Sequence, residues 1–138
     1  MANFTKSWQM EVGLNHVPAY QVSGQPFASG SINAIATATA TKISFPYVTR
    51  WIYVTNNSTT ATCKVGFSEL GLAGTNYFTV GKGVTSIPVT TERFELKVSE
   101  LWITGSGDVD IVAGLTSVPT SRTTTSDGAS WSGSSGVG

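Results

Sequence analysis

Between Phe94 and Leu115 the apolar residues recur at every second position, and that pattern sets the class of everything around it. Phe94, Leu96 and Val98 alternate with Glu95 and Lys97, so a strand here has one dry face and one wet face. At Ser99-Glu100 the phase slips by one residue, and Leu101 and Ile103 take over the apolar side. A β-bulge inside one long strand does this, and so does a tight corner. Gly105-Ser106-Gly107 offers the backbone freedom of a hairpin turn. Beyond it Val109, Ile111, Ala113 and Leu115 face inward, with Asp108 and Asp110 outward. The stretch is expected to form a core hairpin, and it carries no catalytic group.

The rest of the chain repeats the theme. Ala19–Ser23 is the first expected core strand, Gly24 to Gly30 a loop holding Phe27, and Ser31–Phe45 the longest strand. In the last of these, evenly alternating Thr37, Thr39 and Thr41 without a cap disfavour a helix. Pro46 breaks the run. Arg50–Thr55 is dense in aromatic and β-branched residues and reads as a strand buried on both faces. From Ala61 to Phe67, Ala61, Cys63, Val65 and Phe67 point inward and Thr62, Lys64 and Gly66 outward. Ser68–Thr75 reads as an irregular loop, Asn76–Val80 as a short strand and Gly81-Lys82-Gly83 as a hairpin turn. Val84–Thr90 is a further strand, which Pro88 confines to a sheet edge.

Turn signals at near-regular spacing and no convincing helix predict an all-β fold, an antiparallel eight-stranded β-sandwich. A single jelly roll fits best. An immunoglobulin-like sandwich comes second, because the chain lacks its disulfide and its Cys–Trp–Cys frame. The expected core comprises Phe94, Leu96, Val109, Ile111, Val65 and Phe67.

A length of 138 residues suits one domain. Residues 1–15 read as an extended N-terminal arm, 16–115 as the sandwich, and 116–138 as a Ser/Thr/Gly-rich tail that cannot bury enough surface to fold alone. Large side chains in the arm and tail need somewhere to bury. Phe4, Trp8, Met10 and Trp131 are therefore the candidate assembly interface. Charged residues make up only 12% of the chain, and 8 basic residues cancel 8 acidic ones. That balance argues against nucleic acid or an anionic membrane as a partner, and suits a chain packed against its neighbours.

Chemistry is sparse. Cys63 is the only cysteine, so no intrachain disulfide forms, and its place on an apolar face marks it as a small buried hydrophobe. His16 is the only histidine, which leaves no zinc pattern. Asp108 and Asp110 share one strand face but lack the further oxygen ligands of a strong Ca²⁺ site. Gly105-Ser106-Gly107 is not a nucleophile elbow, and no phosphate loop precedes a helix. The expectation is a protein without catalytic activity, cofactor or metal. The N-terminus lacks the apolar region of a signal peptide and no run reaches the length of a membrane span, so synthesis in a cytosol is expected. On that reading the acceptor patterns at Asn3 and Asn57 are incidental.

The segments YVTRWIYVTNN, CKVGFSELGLAGTNYFTV and FELKVSELWITGSGDVDIVAGLT together resemble the single jelly-roll vertex (penton) or minor capsid proteins of large icosahedral DNA viruses. They are framework segments covering well under half of the chain, and no functional residue transfers with them. The resemblance implies a virion structural protein without a cofactor, a homo-oligomer with five copies around a vertex, contacts with other capsid proteins, and assembly in the host cytoplasm. A phage head-decoration or tail protein is the nearest alternative. A carbohydrate-binding β-sandwich is an alternative of another class, with Trp51, Tyr53, Tyr47, Tyr77 and Trp102 as a stacking platform. That reading requires those rings to be exposed and coplanar.

Overall fold

The computed structural model describes residues 24–35, 40–125 and 128–129. Two four-stranded antiparallel sheets pack face to face. The first runs in the order β1 (Gln25–Ile32), β8 (Val109–Pro119), β3 (Tyr47–Asn56) and β6 (Val89–Thr90). The second runs β2 (Thr41–Ser44), β7 (Glu100–Thr104), β4 (Cys63–Gly66) and β5 (Tyr77–Val80). After β8, a 3₁₀ turn (Thr120–Thr123) leads to β9 (Thr124–Thr125), which pairs with β10 (Gly128–Ala129).

The pairing is nested. β1 pairs with β8, β2 with β7, β3 with β6 and β4 with β5, all antiparallel. The first four strands therefore run back along the last four as one long ribbon folded over the core.

The clearest piece of that ribbon corrects the hairpin expected from Phe94 to Leu115. Phe94 exchanges backbone hydrogen bonds of 3.0 and 2.9 Å with Ile52, and the Thr49 N–H donates to the Val98 carbonyl at 3.0 Å. This part lies along β3, in the first sheet. One step further the Phe45 N–H donates to the Ser99 carbonyl at 2.9 Å, and β7 then pairs with β2 in the second sheet. Ser99-Glu100 is thus a corner opposite Phe45-Pro46. A chain that crosses into the facing sheet keeps its apolar side on the same core only by slipping one residue. Gly105-Ser106-Gly107 then carries β7 across to β8 in the opposite sheet instead of closing a hairpin.

Three loops and strands also change character. Gly24 to Gly30 is not a loop: Gln25–Ile32 pairs with β8, with Phe27 turned to the core and Pro26, Ala28 and Gly30 outward. Glycine, proline and serine disguise it, and Pro26 is tolerated because β1 is an edge strand. Ser31–Phe45 is not one strand, since β1 ends at Ile32 and β2 begins at Thr41 in the other sheet. Val84–Thr90 shrinks to Val89–Thr90, at the sheet edge as Pro88 implies. Val84 and Ile87 instead close a tight turn with hydrogen bonds of 3.1 and 2.8 Å, and Gly81-Lys82-Gly83 leads from one sheet to the other. The strand expected at Ala19–Ser23 lies outside the described residues.

Ser68–Thr75 contains a helix, α1 (Glu69–Ala73). The Ser68 hydroxyl caps it by accepting from the Gly71 N–H at 3.0 Å, and Glu69 sits favourably in its first turn. Its anchor is Leu72, buried on the outward face of the second sheet. A Cβ at Gly66 would stand 3.2 Å from the Leu72 Cβ, so glycine is what lets the helix lie this close. Leu70, on the same helix, is exposed.

Between the sheets lies a dry core. Ile52, Val54, Ile111, Val109 and Leu115 meet Cys63, Val65, Leu101 and Ile103, each at most 2% exposed. Val109, Ile111 and Val65 are fully buried as expected, whereas Phe94, Leu96 and Phe67 are half-buried at its margin. Phe27 meets Phe45 edge-on at 4.9 Å, filling the corner. The sandwich also continues past Leu115: Thr116 and Val118 are buried, and the Thr116 hydroxyl donates to the Val48 carbonyl at 2.7 Å.

Candidate functional site

Among the described residues, Cys63, Asp108 and Asp110 are all engaged by the fold. Cys63 is fully buried, and loss of hydration pushes its thiol from 9.0 up to about 11, partly offset by a backbone hydrogen bond from Thr104. It is not a nucleophile at neutral pH. Asp110 accepts from the Ser31 N–H and from the Asn57 amide, both at 2.8 Å, and Asp108 accepts from the same amide at 3.3 Å. Asp110 thereby holds β1 where its register shifts at the left-handed Ser31 (φ 54°). No group of three or more His, Cys, Asp or Glu stands ready for a metal among the described residues. None of the described helices is long and apolar enough to cross a membrane.

The outward faces of the sheets are the next candidates. β3 is not buried on both sides: Ile52, Val54 and Asn56 point into the core, while Trp51, Tyr53 and Thr55 point out and are half-buried. Cross-strand partners extend this face. Tyr53 lies opposite Val112, which lies opposite Ala28; Trp51 lies opposite Gly114, which lies opposite Pro26. Val112 is 42% exposed, so the first sheet presents a continuous apolar and aromatic surface.

The second sheet turns out Trp102 and Tyr77 on either side of Gly66, the residue on which α1 rests. Here the rings carry cations, with the Lys42 ammonium 5.6 Å from the Trp102 centroid and the Lys64 ammonium 4.5 Å from the Tyr77 centroid. Lys42 also pairs with Glu100 at 2.7 Å.

At one end of this second face the loops around β4, β5 and β7 enclose an open cleft of about 500 Å³. Thr60, Thr62, Lys64, Lys82, Thr104 and Gly105 line it. Its walls hang from one buried side chain. The Asn56 amide donates to the carbonyls of Ala61 and Gly81, both at 2.9 Å, and its oxygen accepts from the Ser58 N–H at 3.1 Å and the Ser106 hydroxyl at 2.7 Å.

The five aromatics named for a sugar platform do not come together. Trp51 and Tyr53 face out from one sheet, Tyr77 and Trp102 from the other, and Tyr47 packs against the core. Trp51 and Tyr53 are also tilted by 68° to each other, not coplanar. The candidate assembly residues Phe4, Trp8, Met10 and Trp131, like His16, lie outside the described residues. Val112 was legible, because it continues the outward series of Asp108 and Asp110. The cleft was not, because three separate loops build it. The chain matches no known protein family, no curated protein and no solved structure.

Proposed function

We propose that this chain is a virion structural protein, a small capsid subunit that assembles into a cyclic homo-oligomer. The observation that carries the reading is the nested strand pairing of β1·β8, β2·β7, β3·β6 and β4·β5. That nesting supports a single jelly roll, an architecture used by capsid domains, and the functional step from it is by analogy of fold. The apolar outward face of the first sheet, with Trp51, Tyr53 and Val112, supplies a contact surface. The described chain begins at the edge of that sheet, where the Gly24 N–H donates to the Leu115 carbonyl at 2.9 Å. In a ring, the Phe4, Trp8 and Met10 side chains of one copy lie on this face of the next, and such head-to-tail contacts close on themselves.

Light scattering on the full-length protein, with image symmetry where particles form, tests the proposal. The expected result is a closed homo-oligomer, a pentamer for a vertex protein, that falls to folded monomers when residues 1–14 are deleted. A full-length chain that stays monomeric at high concentration, and shows no ordered multimer within an intact particle, overturns it. Another ring symmetry moves the protein from a vertex to a decoration or tail position.

A further inference from the structure

We propose that the cleft around Lys64 and Lys82 binds a small acidic saccharide, a sugar ring bearing a carboxylate or a sulfate. Lys64 and Lys82 both line the cleft, and its lining holds no carboxylate. The ion pairs found among the described residues engage Lys42, Arg50 and Arg93 instead. Two cationic side chains on one cleft favour an anion there. Lys64 is also held in place, since its ammonium lies 4.5 Å from the Tyr77 ring.

The cleft is rigid for reasons independent of any ligand. The four hydrogen bonds of the fully buried Asn56 fix the loop before β4 and the loop after β5. Gly105, at φ +100°, packs directly on the loop before β4, where a Cβ would stand 2.8 Å from the Thr62 carbonyl oxygen. A preformed site loses little ordering entropy on binding.

The lining then selects the ligand. A volume near 500 Å³ exceeds the needs of a bare oxyanion and lies in the usual range for small-molecule sites. The hydroxyls of Thr60, Thr62 and Thr104 both donate and accept, which matches the hydroxyls of a sugar. No aromatic ring lines the cleft for a nucleobase to stack on, and two lysines do not make a track for a nucleic-acid backbone.

Isothermal titration of the full-length protein at low salt tests this with four probes: N-acetylneuraminic acid, a sulfated heparin disaccharide, neutral N-acetylglucosamine and sodium sulfate. At least one acidic sugar is expected to bind about tenfold or more tighter than both the neutral sugar and sulfate. Which acidic sugar binds separates carboxylate from sulfate recognition. Lys64→Ala and Lys82→Ala should each weaken that binding by about tenfold, the loss of one charge-assisted contact. Lys42→Ala, on the same face but outside the cleft, should leave it unchanged. Because Lys64 also packs on Tyr77, the exposed Lys82 supplies the variant that does not touch the fold. No binding of either acidic sugar, equal binding of sulfate alone, or indifference to Lys82→Ala overturns the proposal.

Discussion

Each sheet turns two aromatic side chains outward, but the two faces treat them differently. On the second sheet Trp102 and Tyr77 lie under cations, and α1 seats Leu72 between them over Gly66. On the first sheet Trp51 and Tyr53 have each other, at 5.6 Å, and beyond them the apolar surface of Val112, Ala28 and Pro26. The lesson is that an outward aromatic is not by itself a binding surface. The second face sets cations and a helix over its apolar groups, although the buried Trp102 indole N–H finds no acceptor among the described residues, while the first leaves Val112, Ala28 and Pro26 exposed.

Inside the sandwich the asymmetry should vanish. Ile111 of the first sheet and Ile103 of the second are both fully buried, facing the same core. Truncating either to Ala should cost about 2–5 kcal/mol, measured by denaturant unfolding, with the two values close to each other. A large gap between them would mean that the core belongs mainly to one sheet, and the contrast between the faces would then extend to the interior.

A titratable group distinguishes the two inner faces. Cys63 lies on the second sheet with its thiol raised from 9.0 to about 11 by burial. Below pH 9 folded and unfolded chains both carry the proton, and stability does not respond. Between pH 9 and 11 the unfolded chain releases its proton while the folded chain keeps it, so stability falls with rising pH, by about 2–3 kcal/mol in all. The Cys63→Ala variant should lack this component of the alkaline decline. Equal alkaline slopes for the two proteins would show that the thiol is not sequestered.

The cover on the second face can be lifted by one residue. Gly66→Val places side-chain atoms where the Leu72 Cβ and the Asn76 carbonyl stand, 3.2 and 3.3 Å from the new Cβ. The expected loss is about 1–3 kcal/mol, from overpacking. Faster amide exchange at Leu72 would localise it to the helix. If stability is unchanged, α1 is not a fixed lid and the second face is as open as the first.

How much of this was legible in the sequence differs by scale. Period-2 patterning located most of the strands, and it even recorded the corner, as the phase slip at Ser99-Glu100. The sequence could not say which sheet a strand joins, because inward residues look alike in both; Leu101 and Val109 alternate identically on opposite sides of one core. β1 was missed because Pro26, Ser29 and Gly30 are turn residues by composition, and only pairing with β8 makes them a strand. α1 was missed because five residues show no period, although Ser68 before Glu69 is a capping signal. The cleft depends on the long-range bonds of Asn56, and no local pattern announces those.

The smallest expected change in stability gives the sharpest test of the contrast. Val112 and Leu70 are both exposed aliphatic residues, at 42% and 71%, one on the open first face and the other on the helix that covers the second. Val112→Lys and Leu70→Lys place the same ammonium on each. Neither should shift unfolding by more than about 1 kcal/mol, since exposed substitutions are mild and the strand preference of valine is modest. Their effects on assembly should diverge. On the proposed interface a charge at Val112 would fall in the middle of the apolar contact and lose its hydration when a neighbour docks, so an oligomer built that way should dissociate under light scattering. A charge at Leu70 stays in water and should leave the oligomer intact. If instead Leu70→Lys dissociates the protein and Val112→Lys does not, the helix is the docking element and the two faces exchange roles. If both variants assemble as the parent does, contacts run through the loops or the sheet edges and neither face is the interface.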